Sequence, residues 1–309
     1  MKERRRLWFG VRLLFAGTVL FFLAQSVVTR WSEIRAFGWD LKAGLLVGSI
    51  LLQLAASVLW ATVWWRMVVR TGCSVSWLAG TRIYMTSNLA RYIPGSIWGY
   101  VSRAYLGKED GVTPQGVGIS VVWEIGSAVV ASLFLVVTAL PAYQSQVPAA
   151  VLGMVLTAAL GCLIGLLPPV FNRWVPLLRP ILPAHPLPSF SWMDFLLYLG
   201  SALGTHILVG TAFFLFARSL FDIGWSALWD FVVLWSFSAT SGLLIIFVPY
   251  GLGVREGLLV ILLRPFVPDE VAALMSLSSR VWTIFGELIG AGVAILVYHC
   301  LQQSRGDTP

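Results

Sequence analysis

Apolar runs long enough to cross a hydrocarbon core, about 20 residues each, recur along almost the whole chain with short polar connections between them. They cover Leu7 to Val28, Leu41 to about Trp65, Gly116 to about Leu140, Ala149 to about Leu167, Trp192 to about Phe216, and Val271 to about Val297. A further apolar segment, Trp225 to Val248, is long enough to cross but carries the polar stretch SFSATSG, Ser236 to Gly242. The run after it, Leu258 to Leu263, is too short to span alone. The pattern predicts an all-α polytopic membrane bundle of about six full spans.

Two stretches break this pattern in the same way. Ser87 to Gly107, SNLARYIPGSIWGYVSRAYLG, places Asn88, Arg91, Pro94, Gly95, Gly99 and Arg103 between two long apolar spans. Pro94 lacks a backbone donor and disfavours helix at Ile93, and Gly95 lets the chain turn. Unsatisfied backbone in hydrocarbon costs several kcal/mol, so such a break persists only where protein or a wet cavity surrounds it. Phe247 to Leu258, FVPYGLGVREGL, has the same order: an aromatic, a β-branched residue, Pro249, then Gly251 and Gly253, with Arg255 and Glu256 beyond. Paired Gly/Pro-interrupted segments in two halves point to a transporter binding site.

Composition removes the soluble classes. Of 309 residues, 58% are hydrophobic and 11% charged, with mean hydropathy +0.83, and no stretch between the spans can house a separate soluble catalytic domain. The net charge of +7 comes from basic residues scattered between spans, which reads as membrane topology and anionic-lipid contact rather than nucleic-acid binding. Cys73, Cys162 and Cys300 are isolated, so neither a disulfide framework nor a metal site is expected.

Lys2, Arg4, Arg5 and Arg6 before the first run place the N-terminus in the cytoplasm. That run is longer than a usual signal-peptide core, which favours a retained signal anchor over cleavage near Ala24 and Ser26. If each Pro-Gly element returns to the side it entered from, Arg66, Arg70, Arg82, Arg103, Lys108, Arg173, Arg179 and Arg305 join that cluster. Arg30, Arg35, Lys42, Arg218, Arg255 and Arg264 fall outside. Three full spans then separate Pro94 from Pro249, so the elements enter from opposite faces, as in an inverted repeat. Arg66 lies 28 positions before Pro94 and Arg218 31 before Pro249. The repeats are Leu41 to Leu140 and Trp192 to Val297, joined through a basic, proline-rich connection from Pro168 to Pro188.

Glu124 lies inside one span, and Arg280 and Glu287 lie seven residues apart on roughly one face of the last. Each costs at least ~2.5 kcal/mol at the bilayer centre and needs a partner or a wet cavity. Arg91, Arg103 and Arg255 beside the breaks suit a phosphate, since guanidinium stays charged and presents a planar fork to its oxygens. Glu124, Glu256 and Glu287 either balance or couple charge; structural ion pairing with the arginines is the competing account. His206 reads as a helix-to-helix hydrogen bond rather than a proton relay, and Ser87 and Asn88 as helix caps or ligand contacts. Tryptophans near span ends, including Trp64, Trp65, Trp77 and Trp192, read as interfacial belts.

With Asn88, Tyr92, Pro94, Gly95, Arg103, Gly111, Val112, Glu124 and the run Pro249, Gly251, Gly253, Arg255, Glu256 in view, the chain resembles the lysylphosphatidylglycerol synthase transmembrane family, flippase-like integral membrane proteins. The resemblance runs from about Leu41 to Val297. It departs at Trp123-Glu124-Ile125, where Glu followed by Arg is expected, and at Tyr250, where a second glycine is commoner. In longer members the membrane domain moves an aminoacylated phospholipid between leaflets and a separate soluble domain makes it. The resemblance implies the flipping role only, with a phospholipid or polyprenyl-phosphate-linked substrate, no cofactor and a prokaryotic cytoplasmic membrane location. Without a GxxxxGK[ST] motif, ATP is not the direct drive. A membrane-embedded transferase using Asp40, Asp222 or Asp230, or a non-catalytic subunit of a surface-polysaccharide complex, are the alternative functions.

Overall fold

The computed structural model describes residues 41–92, 97–143, 149–178, 189–244 and 253–304, and among these there are helices and turns but no strand. The expected first span, the breaks at Pro94-Gly95 and Pro249-Gly251, and Arg305 lie outside the described residues. The first half contains α1 (Ala43–Arg70), α2 (Trp77–Asn88) ending in a 3-10 turn (Leu89–Tyr92), α3 (Trp98–Leu106) and α4 (Pro114–Tyr143). After α5 (Ala149–Leu166) and α6 (Pro168–Trp174), the second half contains α7 (Trp192–Leu220), α8 (Leu228–Leu244), α9 (Val254–Leu263) and α10 (Asp269–Ser304). Four helices, α1, α4, α7 and α10, are long and apolar enough to cross a membrane; α5 and α6, bent by 74° at Leu167, form a fifth if read as one broken span. This is an integral membrane protein of helical architecture.

Local chemistry sets the helix starts. Ser76 accepts the Ala79 N–H at the head of α2, and Ser191 with Asp194 forms a capping box at the head of α7. At the head of α9, Gly253 takes φ +85°, a conformation open to glycine, while its N–H donates to Glu256 Oε2 at 2.7 Å.

Helices α1 and α7 form the central pair and run antiparallel. The Lys42 N–H donates to the Ser219 carbonyl at one end, and Arg70 pairs with Asp194 at 2.5 Å at the other. The short helices are arranged about this pair. Helix α2 leaves from the end where α1 finishes, and the loop after α3 comes back to it, with Thr113 Oγ1 at 3.5 Å from Cys73 Sγ. Helix α8 leaves from the opposite end, and the turn after α9 returns there, its Phe266 ring 5.6 Å from Phe231. Each short-helix pair also packs on a long helix of the other half: α2 on α10, and α8 on α4.

Two aromatic clusters stand out, the first joining the halves and the second within the second half. Trp123 on α4, fully buried, meets Phe171, Phe190 and Tyr198 at 4.7, 5.1 and 5.4 Å. Phe171 belongs to the connection expected at Pro168 to Pro188, whose described part is helical and packed rather than an open linker; 179–188 lie outside the described residues. Trp123→Ala is expected to cost about 3–5 kcal/mol, read as a lower unfolding temperature in detergent. The second cluster joins Phe213, Phe216, Trp235 and Trp282 from α7, α8 and α10. Nearby, a Cβ on Gly210 would lie 2.6 Å from the Val232 Cα, so small size lets α7 and α8 approach. Gly210→Ala therefore forces backbone apart and should destabilise by about 1–3 kcal/mol in the same unfolding measurement.

The tryptophans divide. Trp77 and Trp192 are exposed as belt residues should be, but Trp64 is buried and donates from Nε1 to Ser120 Oγ at 3.0 Å. It sits almost two turns inside the end of α1, where the helix still faces protein.

Candidate functional site

Glu124 follows Pro114 by ten positions, roughly 15 Å into α4 at 1.5 Å per residue, deep within a spanning helix. Its carboxylate is fully engaged. Arg103 reaches it through Nη1 to Oε2 at 2.5 Å and Nη2 to Oε1 at 3.3 Å, and Tyr84 and Trp60 donate to Oε1 at 3.0 and 3.2 Å. The Arg103 guanidinium also donates to Ser87 Oγ at 3.2 Å and Asn88 Oδ1 at 2.9 Å, and lies 4.2 Å from the Tyr84 ring centroid. With 2% exposure, Arg103 is locked in place. Ser87 and Asn88 end α2 so that their oxygens meet the arginine of α3, Ser87 buried and Asn88 also on the cavity wall.

The second charged pair bridges the halves. Arg91, on the 3-10 turn after α2, donates from Nη2 to Glu287 Oε1 on α10, and the Tyr92 hydroxyl donates to Oε2 at 2.9 Å. The Arg91 side chain keeps 26% of its surface exposed, whereas Glu287 keeps 7%. The third pair lies within the second half, with Arg280 Nε donating to Glu256 Oε1 at 2.8 Å. Glu256 thereby pairs with Arg280 and caps α9 at once. Arg280 and Glu287 share a helix, as their spacing implies, but reach different partners.

Between the halves lies a cavity of about 230 Å³. Its charged wall is Arg91, Arg103, Glu124 and Glu287, and Asn88, Ser57, His206, Thr240 and Thr283 add polar groups. The formal charge of this wall is zero, because each arginine faces its carboxylate. Trp60, Tyr84, Tyr100 and Trp235 supply aromatic surface. His206 on α7 faces the backbone of Ala128 on α4.

Not every expected site residue reaches the cavity. Arg255 is 2% exposed, lies 4.4 Å from the Trp235 ring centroid and donates to Thr283 Oγ1 at 3.5 Å. It stands behind two wall residues rather than on the wall. Gly253, Glu256 and Arg280 likewise build the α9–α10 support, and Tyr92 acts through Glu287. Pro94, Gly95, Pro249 and Gly251 lie outside the described residues.

Sequence reasoning passed over Tyr84 and Trp60, which complete the Glu124–Arg103 cluster. The usable signal was Glu124 itself: a carboxylate deep in an apolar helix demands several donors. Tyr84, on the short helix beside the break, was a natural supplier.

A family model described as the lysylphosphatidylglycerol synthase TM region matches residues 8–290. No curated protein and no solved structure matches the chain.

Proposed function

Because the chain belongs to the lysylphosphatidylglycerol synthase TM-region family, we propose that it is a lipid translocase. It carries a phosphate-bearing lipid headgroup, of a phospholipid or a polyprenyl phosphate, through the cavity between its halves while the tail stays in lipid. The observation that carries this reading is the partly exposed Arg91 on the wall of a polar cavity among spanning helices. Guanidinium reads phosphate oxygens in pairs, and a polar wall at this depth is expensive unless used.

The two halves support the mechanism as an inverted repeat. Each has a long helix, a broken pair of short helices and a second long helix, and the central helices are antiparallel. In this reading the short pairs are re-entrant elements entering from opposite faces, and rocking of one half against the other opens the cavity to each leaflet in turn. The pair Arg103–Glu124 in the first half and Glu256–Arg280 in the second fall at matching places with acid and base exchanged. Arg103 stands 9 positions after Pro94 and Glu256 7 after Pro249; Glu124 stands 30 and Arg280 31 after the same prolines. These pairs fasten each re-entrant element to its own long helix.

The orientation this reading adopts has both termini in the cytoplasm of a prokaryote. It assigns no enzymatic step: Asp222 is exposed and pairs with Lys42 at 3.6 Å, and neither it nor Asp230 is on the cavity wall.

The test is leaflet exchange of fluorescent phospholipid and polyprenyl-phosphate analogues in vesicles holding the purified protein. Protein-dependent exchange of an anionic lipid is expected. Absence of exchange for every such lipid, with correctly folded protein, contradicts the proposal, as does product formation from a lipid-linked donor.

A further inference from the structure

Of the charged pairs around the cavity, Arg91–Glu287 differs from the others in two ways. It joins the two halves, and Arg91 rides on a 3-10 turn rather than inside an α-helix. Arg103 is tied to Ser87, Asn88 and Glu124 and cannot turn to a ligand without losing all three. Arg280 is off the wall, bound to the carboxylate that caps α9. Arg91 is the cation able to exchange its partner.

That exchange has a consequence for charge. In the empty site Arg91 and Glu287 cancel. A phosphodiester that takes Arg91 adds one negative charge and leaves Glu287 with the Tyr92 hydroxyl, 8% exposed and about midway along a spanning helix. A carboxylate stripped of its cation in such surroundings favours its neutral form. One proton on Glu287 restores neutrality, and the loaded site crosses the membrane without net charge.

We propose that Glu287 is a coupling carboxylate: headgroup phosphate displaces it from Arg91, and it takes up one proton as the ligand binds. This inference rests on the phosphate-lipid reading of the same cavity and assigns its energy coupling, an anionic lipid moving together with a proton.

Other titratable groups facing this region do different work. Glu124 on α4 keeps Arg103, Tyr84 and Trp60; Tyr84 on α2 donates to Glu124. On α7, His206 faces the Ala128 backbone. From α9, Glu256 holds Arg280, and Arg255 lies against Trp235 and Thr283. From α1, the uncharged Gln53 lines the same cavity, its amide donating to the Thr283 carbonyl and filling the space a Cβ on Gly286 would need.

The experiment is calorimetric binding of short-chain phosphatidylglycerol, a phosphodiester that does not titrate near neutrality, to the purified full chain. It is run in two buffers of different ionisation heat. The wild type should take up about one proton per ligand near pH 7, and its affinity should tighten as pH falls, by up to about tenfold per unit. Glu287→Gln should bind more tightly, since an amide competes less for Arg91, and should show neither proton uptake nor pH dependence. Binding that needs Arg91 yet takes up no proton overturns the coupling while leaving the phosphate-lipid reading in place. Uptake that persists in Glu287→Gln and vanishes in His206→Gln overturns the assignment to Glu287. Absence of binding to wild type overturns this inference together with the substrate reading beneath it.

Discussion

Arg103→Ala is expected to be the most damaging single substitution to the folded protein. It strips Glu124 of its cation and of two hydrogen bonds inside a spanning helix, and leaves Ser87 and Asn88 without the guanidinium they hold. Removing one partner of a buried pair costs about 3–5 kcal/mol, because the remaining charge stays buried. The unfolding temperature in detergent should fall steeply, with loss of protein on purification. Glu124→Gln should cost less, since an amide still accepts from Tyr84 and Trp60 and Arg103 keeps its other acceptors. Equal, small effects of both changes would mean that the cluster is open to water and does not fasten α3 to α4.

The second large effect is on transport. Replacing both members of the bridging pair, Arg91→Gln with Glu287→Gln, removes two opposite charges and leaves amides that can still meet. Exchanging a buried pair for uncharged groups is often near neutral for stability, so the unfolding temperature should stay close to that of the wild type. Leaflet exchange of an anionic lipid should drop by about 10–100-fold, the loss of a charge-assisted bond of about 1.5–3 kcal/mol. Exchange at the wild-type rate in this variant would remove Arg91 from the headgroup site. Under the proposed function, Arg91 and Arg103, both beside the first break, would divide the work: Arg91 would read the ligand, while Arg103 holds α3 to Glu124 on α4.

The long helices were legible because the membrane imposes length and hydropathy on them; the two Pro-Gly breaks themselves lie outside the described residues, with short helices on either side. Glu124, Arg280 and Glu287 were legible as charges in need of partners. Which partners was not. Arg280 and Glu287 lie on one helix, and only packing shows that α9 supplies a carboxylate to the first while the turn after α2 supplies an arginine to the second. Arg255 looked equivalent to Arg91 because each lies beside a break. Its place behind Trp235 depends on how α8 and α9 pack, which residue order does not encode. Phe171 was similarly hidden, because a proline-rich basic segment reads as surface until Trp123 is seen to receive its ring.

The central claim is that a lipid headgroup passes through the cavity between the halves. Ala239 on α8 lines that cavity and belongs to none of the ion pairs described above, so Ala239→Phe should fill the path while leaving every charged side chain in place. The decisive measurement is the rate of anionic-lipid exchange in vesicles holding Ala239→Phe, compared with wild type at equal protein density and matched unfolding temperature. Passage through the cavity predicts that exchange falls to the rate of protein-free vesicles. An unchanged rate in the filled protein would contradict the account and place any lipid movement elsewhere on the molecule.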